Sequence, residues 1–244
     1  MNEQNFKIKT DDGDMDCFAA YPDTAGPFPA VILYMDAPGI REELREFTRR
    51  IAAQGYYCLL PNMYYRPNTE TFDLSTGDEA EMRKMFKAMS SLNLNLVMAD
   101  TGAMLNYLTD SEHAAGAVGC IGYCMSGQYV VAAAGNYPDR FKAVASLYGV
   151  AIVTEEADSP HLLANNIDAE LYLGFAETDE YVGDNVVPEL KKALEANQVK
   201  HEIEIHPGCH HGFCFPGRGG LYNEDAAERV WDTVFDLFKR KLQG

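Results

Sequence analysis

The sequence predicts an α/β fold, a mostly parallel central sheet with helices on both faces. Three observations lead there. Short apolar runs without alternation recur along the chain, as in strands buried on both faces. Segments with apolar residues at helical spacing separate them. Hydrophobic residues make up 47% and aromatics 11% of 244 residues, enough for a sizeable core, which excludes a mainly disordered chain. Strands that alternate with helices form parallel sheets, because each crossover helix returns the chain to the same end. No repeat, low-complexity tract or linker divides the sequence, so a single domain over residues 1–244 is expected.

Taken in order, Phe6 to Thr10 and Met15 to Ala20 read as short strands around the turn cluster Asp11-Asp12-Gly13-Asp14, a hairpin. Ala30 to Met35 is a buried strand. Arg41 to Gln54 is an amphipathic helix with Leu44, Phe47 and Ile51 on one face, stopped by Gly55. Tyr56 to Leu60 is the next strand, halted by Pro61, and Tyr64 to Asp78 is a polar loop near a site. Met82, Met85, Phe86 and Met89 have helical spacing and read as a core stripe, with methionines that would also suit an adaptable pocket wall. A helix is expected from about Asn93 to Leu108. Ala117 to Tyr123 is a strand, followed by Cys124 and a small-residue helix through Gly135. Ala143 to Tyr148, Leu171 to Phe175 and His201 to His206 are further strands, and Pro188 to Asn197 is a helix. The terminal helix, Asn223 to Leu242, carries Val230, Trp231, Val234, Phe235 and Phe238 on its apolar side. Its acidic start and basic end complement the helix dipole.

Twenty Lys and Arg face 37 Asp and Glu, a formal net charge of −17. Such a chain repels phosphates, so neither nucleic acid nor an anionic membrane is an expected partner. Met1 to Phe6 lacks a positive leader and an apolar run, and a cytoplasmic protein is expected. The six cysteines, Cys17, Cys58, Cys120, Cys124, Cys209 and Cys214, are then expected as free thiols.

One thiol stands apart. Gly122-Tyr123-Cys124-Met125-Ser126-Gly127 lies between a buried strand and a helix. A nucleophile elbow needs this context, since the chain turns abruptly, the nucleophile takes a strained backbone conformation, and its neighbours must be small. Ser126 stands where the usual G-x-S-x-G pattern has glycine. Cys124 would lie at a helix N-terminus, where the dipole favours thiolate. The alternative is a buried cysteine before a glycine turn. Elbow enzymes place the acid and then the histidine later in the chain, each after a strand. Leu171 to Asp179 delivers a carboxylate beyond one strand, and His201 to Gly208 runs into Cys209-His210-His211-Gly212-Phe213 beyond another. Both groups fall at carboxyl ends of parallel strands, where open α/β sheets build their sites.

With these residues the chain resembles the dienelactone hydrolase family of the α/β-hydrolase fold, from about Phe28 to the terminal helix. Gly122 to Gly127 looks like the family's cysteine elbow, and Pro207 to Phe213 like its histidine loop. Tyr222 to Ala227 fits the family's stretch after that loop, and Asp36 to Glu42 occupies its first strand–helix loop. The resemblance implies a Cys124, Asp179 and His211 triad that hydrolyses a carboxylic ester or lactone through an acyl-thioester, without cofactor or metal. Elbow geometry makes the Met125 amide one oxyanion donor, and the resemblance adds that of Ala37. The expected partner is a small-molecule ester, lactone or thioester, and the expected assembly a monomer or small homo-oligomer.

Two departures bear on substrate. Asp36 stands where the family has a glutamate that meets the resting cysteine, so it would gate Cys124 or cap the loop. Members that take dienelactone hold its carboxylate with two arginines. Here Gly212 to Pro216 has none, Arg218 comes later, and Arg83 near the other position also reads as a solvated helix charge. Phe213, Phe215 and the Met82–Met89 helix would suit a less polar acyl group, with Tyr123 a further possible contact. Other readings are zinc held among His206, Cys209, His210, His211 and Cys214, although no Cys-x2-Cys pair is present; a sensor thiol at Cys124 resolved by Cys209 or Cys214; and a small-ligand-binding scaffold. The presence of both an acid and a histidine favours hydrolysis.

Overall fold

The hairpin opens the chain. β1 (Asn2–Thr10) and β2 (Gly13–Tyr21) pair antiparallel in unbroken register, and Thr10 faces Gly13 across a tight turn at Asp11-Asp12. Gly13 has φ 137°, which L side chains rarely adopt. The structure, a computed structural model, describes residues 1–69, 71–74 and 77–244. It divides into the units Met1–Gly116 and Ala117–Gly244.

In the first unit the strand order is β1-β2-β4-β3, with β3 at Phe28–Tyr34 and β4 at Tyr57–Pro61. β3 and β4 run parallel, so a crossover must join them. It is α1 (Glu42–Ala52), which buries Leu44, Phe47, Thr48 and Ile51. All five residues of β4 are buried, as a strand covered on both faces requires. The polar loop expected from Tyr64 to Asp78 is borne out in its described part; Glu70, Ser75 and Thr76 lie outside the described residues. α3 (Leu94–Asp110) starts at Asn93, whose side-chain oxygen accepts from the Leu96 amide at 2.9 Å. Arg66 forks onto the buried carboxylate of Asp100 at 2.8 and 2.9 Å, and Tyr65 donates to the same carboxylate at 2.9 Å.

The core stripe expected on α2 (Glu79–Met89) is corrected. Met85 and Ala88 form the buried face, whereas Met82 and Phe86 are 41% and 45% exposed. Apolar spacing marks one stripe, but the inward face here is centred on small Ala88, one position that a count of large residues passes over.

The second unit, with β5 entering it at Ala117, carries four parallel strands in the order β5-β6-β7-β8: Ala114–Tyr123, Phe141–Leu147, Glu170–Thr178 and His201–His210. α4 (Gly127–Asn136), α5 (Val186–Ala196) and α6 (Glu224–Leu242) lie between and after them. α6 packs closely: a Cβ at Gly119 of β5 would come within 2.8 Å of Leu242. On α6, Val230, Trp231, Val234 and Phe238 are buried as expected, with Leu237, while Phe235 is half-buried and stacks on Trp231 at 5.2 Å. Four residues immediately follow the carboxyl ends of the four strands: Cys124, Tyr148, Asp179 and His211. No helix among the described residues is long and apolar enough to cross a membrane.

Candidate active site

β5 ends at Tyr123, and the chain turns at Cys124 with φ 53°. That left-handed conformation costs a non-glycine residue about 1–3 kcal/mol, a strain kept where the surroundings overdetermine it. They do so here. The Cys124 carbonyl accepts from the amides of Gly127 and Val150, the latter at 3.1 Å, and a 3-10 turn over Cys124–Ser126 leads directly into α4. The turn leaves no room for side chains on its flanks. A Cβ at Gly122 would come within 2.6 Å of the Ser126 carbonyl, and one at Gly127 would run into the Cα of Gly149. Gly127 provides the close approach, so Ser126 fits at the preceding position, fully buried. Gly127→Ala would push against the Gly149 backbone and the Ser146 hydroxyl, a short side chain with little room to give. It is expected to lower unfolding free energy by about 3 kcal/mol, measured by urea denaturation against wild type.

Asp179 and His211 meet through strand register. β7 and β8 pair side by side to Thr178↔His210, so the next residue of each strand is the acid or the imidazole. His211 Nδ1 lies 2.8 and 2.9 Å from the two Asp179 carboxylate oxygens. Between Ala176↔His206 and Thr178↔His210 the register shifts, with extra residues in β8. Gly208, at φ 68°, takes up the bulge and donates its amide to Glu177 at 2.8 Å. Asp179 is further oriented by the Tyr181 amide at 3.0 Å.

The imidazole is held edge-on between two rings, Tyr148 at 4.9 Å and Tyr181 at 4.8 Å between centroids. Its Nε2 is buried and has no partner at hydrogen-bond geometry among the described residues. The Cys124 sulfur is close enough to perturb the ring. Burial works against the imidazolium charge, but the Asp179 hydrogen bond and then Cys124 outweigh it, raising the pKa to about 9. The folded-state pKa lies above the ordinary value of 6.5. The stabilisation is therefore complete below about pH 6.5 and is lost as pH rises through about 9. It is on the order of 3 kcal/mol, and the side chain is only 13% exposed. Wild-type urea midpoints are expected to fall between pH 7 and 10 by more than those of His211→Gln.

The other sequence candidates take distinct places. Met125 is buried at the start of the 3-10 turn, immediately after the nucleophile position. Tyr123 and Phe213 have no exposed area: Phe213 lies 5.3 Å from Tyr148, which itself meets the imidazole, and Tyr123 lies 5.0 Å from Phe215. In the first unit, Asp36 is fully buried and gripped by both terminal nitrogens of Arg41. The adjacent Ala37 carbonyl accepts from Tyr64 at 2.9 Å. Arg83 is exposed and pairs with Glu79 at 3.2 Å, the solvated helix charge. Among the described residues, no group of three or more His, Cys, Asp or Glu is arranged to hold a metal. Sequence reasoning passed over Tyr148 and Tyr181. Their signal was position alone, one residue beyond a strand and two beyond the acid.

The pattern of the Dienelactone hydrolase family matches residues 15–242. The chain belongs to the dienelactone hydrolase family. Membership makes it an ester or lactone hydrolase. A Synechocystis relative named "Putative carboxymethylenebutenolidase" is 31% identical over 232 residues, covering 93% of this chain and 92% of that one. Two solved structures share the fold. A "Putative Dienelactone Hydrolase" from Klebsiella pneumoniae gives a TM-score of 0.85 at 23% identity, covering 98% of each chain. A dienelactone hydrolase-like promiscuous phosphotriesterase from metagenomic libraries gives 0.80 at 20%, covering 99% of each. The family's α/β-hydrolase fold is thus the fold of this chain.

Proposed function

We propose that the chain hydrolyses esters or lactones with Cys124 as nucleophile, His211 as acid and base, and Asp179 as its orienting carboxylate. The observation that carries this reading is the Asp179–His211 hydrogen bond beside a strained thiol at a helix start. His211 takes up the thiol proton, giving thiolate and imidazolium. The thiolate attacks the carbonyl carbon, a C–S bond forms, and negative charge gathers on the carbonyl oxygen. The Met125 amide donates to that oxygen; for Ala37 as second donor, the support is the family resemblance. Losing one such donor typically costs about 10²–10³ in rate. The tetrahedral centre collapses, the C–O bond breaks, and the leaving alcohol takes the proton from His211 Nε2. Water then attacks the thioester and gives its proton to His211, and C–S cleavage restores the thiolate–imidazolium pair.

Burial of Cys209 and Cys214 raises both thiols, so neither has the environment of a resolving cysteine. We read the acyl group as neutral. Gly212 to Pro216 carries no cation and Arg83 pairs with Glu79 at the surface, so Arg218 beside His211 does not complete a two-arginine clamp, and the net charge of −17 opposes a carboxylate-bearing substrate. Assaying aryl esters, lactones, thioesters and dienelactone on wild type and Cys124→Ala tests this. Cys124-dependent turnover that favours neutral acyl groups supports the reading. Preference for dienelactone would overturn the substrate assignment, and full activity in Cys124→Ala would overturn the mechanism.

A further inference from the structure

A cavity of about 330 Å³ opens beside the imidazole, lined by Tyr181, His210, His211, Arg218 and Leu221 among others. The triad chemistry gives it a role. His211 Nε2 must reach the departing oxygen, so the leaving group extends from the imidazole. Water must then enter where that group left, which requires a mouth open to solvent on the same side. Tyr181 lines the cavity. It is 57% exposed, yet its position is fixed: its amide is tied to Asp179 at 3.0 Å, and its ring lies 4.8 Å from His211, inclined by 63°. The Arg218 side chain also lines the cavity and passes close over Gly212, where an added Cβ would lie 3.5 Å from its Cγ. Burial and the neighbouring Glu180 raise the Tyr181 phenol, which stays neutral near pH 7.

We infer that Tyr181 is the specificity-determining wall of a leaving-group subsite, and that it takes an aromatic alcohol by ring packing. This rests on the triad reading, because that reading places the leaving group at His211. An exposed ring anchored at its backbone offers an apolar face at little ordering cost, and such ring pairs favour aryl over small alkyl groups by about tenfold.

Two measurements test it. The first is kcat/KM for phenyl acetate relative to methyl acetate, which share an acyl group. Tyr181→Ala is expected to lower this ratio about tenfold, mainly through KM for the phenyl ester, and Tyr181→Phe to preserve it. The second is 4-fluorophenol binding followed by fluorine NMR, which needs no turnover. Wild type and Tyr181→Phe are expected to bind, and Tyr181→Ala at least tenfold more weakly. An unchanged ratio, an equal loss on both esters, or equal fluorophenol binding by wild type and Tyr181→Ala overturns the subsite. Full hydrolysis by Cys124→Ala with Tyr181-dependent fluorophenol binding would instead remove the nucleophile assignment and leave the aromatic site standing.

Discussion

Cys124→Ala is expected to lower kcat/KM for esters and lactones by about 10⁴-fold or more, close to complete loss. Alanine keeps the Cβ and removes only the sulfur. Residue 124 therefore meets the same left-handed backbone, and the carbonyl bonds to Gly127 and Val150 remain available. Unfolding free energy should change little. Loss of turnover with an intact denaturation curve assigns the effect to chemistry. Retained turnover would show that another group attacks the carbonyl.

Asp179→Asn is expected to cost about 10³–10⁴ in kcat/KM with nearly unchanged geometry. The amide oxygen can still accept from the Tyr181 amide, so the β7 end stays in place. It can also present an N–H to His211 Nδ1, which selects the wrong tautomer for Nε2. The carboxylate charge that helps raise the His211 pKa to about 9 is lost as well. Acylation needs imidazolium, so wild-type kcat/KM should fall as pH rises through about 9. In Asp179→Asn the residual activity should fall at lower pH. A pH–rate series on both proteins checks this, and an unshifted alkaline limb would remove Asp179 from the pair.

Much of the fold was legible because its signals are local. β4 is an apolar run buried throughout, and Asn93 and Asn223 cap α3 and α6 as their side chains suggest. The elbow was legible for a steric reason: Gly122 and Gly127 mark positions where no Cβ fits. The acid and histidine were legible by order in the chain. Their contact depends on something the sequence does not display, the β7–β8 register with its bulge at Gly208. Tyr148 and Tyr181 escaped notice for the same reason, since tyrosines at strand ends look alike until the strands are placed side by side. The α2 stripe misled because Met82 and Phe86 share spacing with Met85, while burial followed Ala88. Asp36 was read as a gate or loop cap, and its bidentate pairing with Arg41 was not visible in the one-letter pattern.

The central claim is a covalent acyl-thioester on Cys124. Rapid acid quenching of wild type mixed with an aryl ester, followed by intact mass and peptide mapping, observes it directly. One acyl group added per chain is expected, located on Cys124 and absent from Cys124→Ala. Acylation at another residue, or brisk turnover by Cys124→Ala, would contradict it.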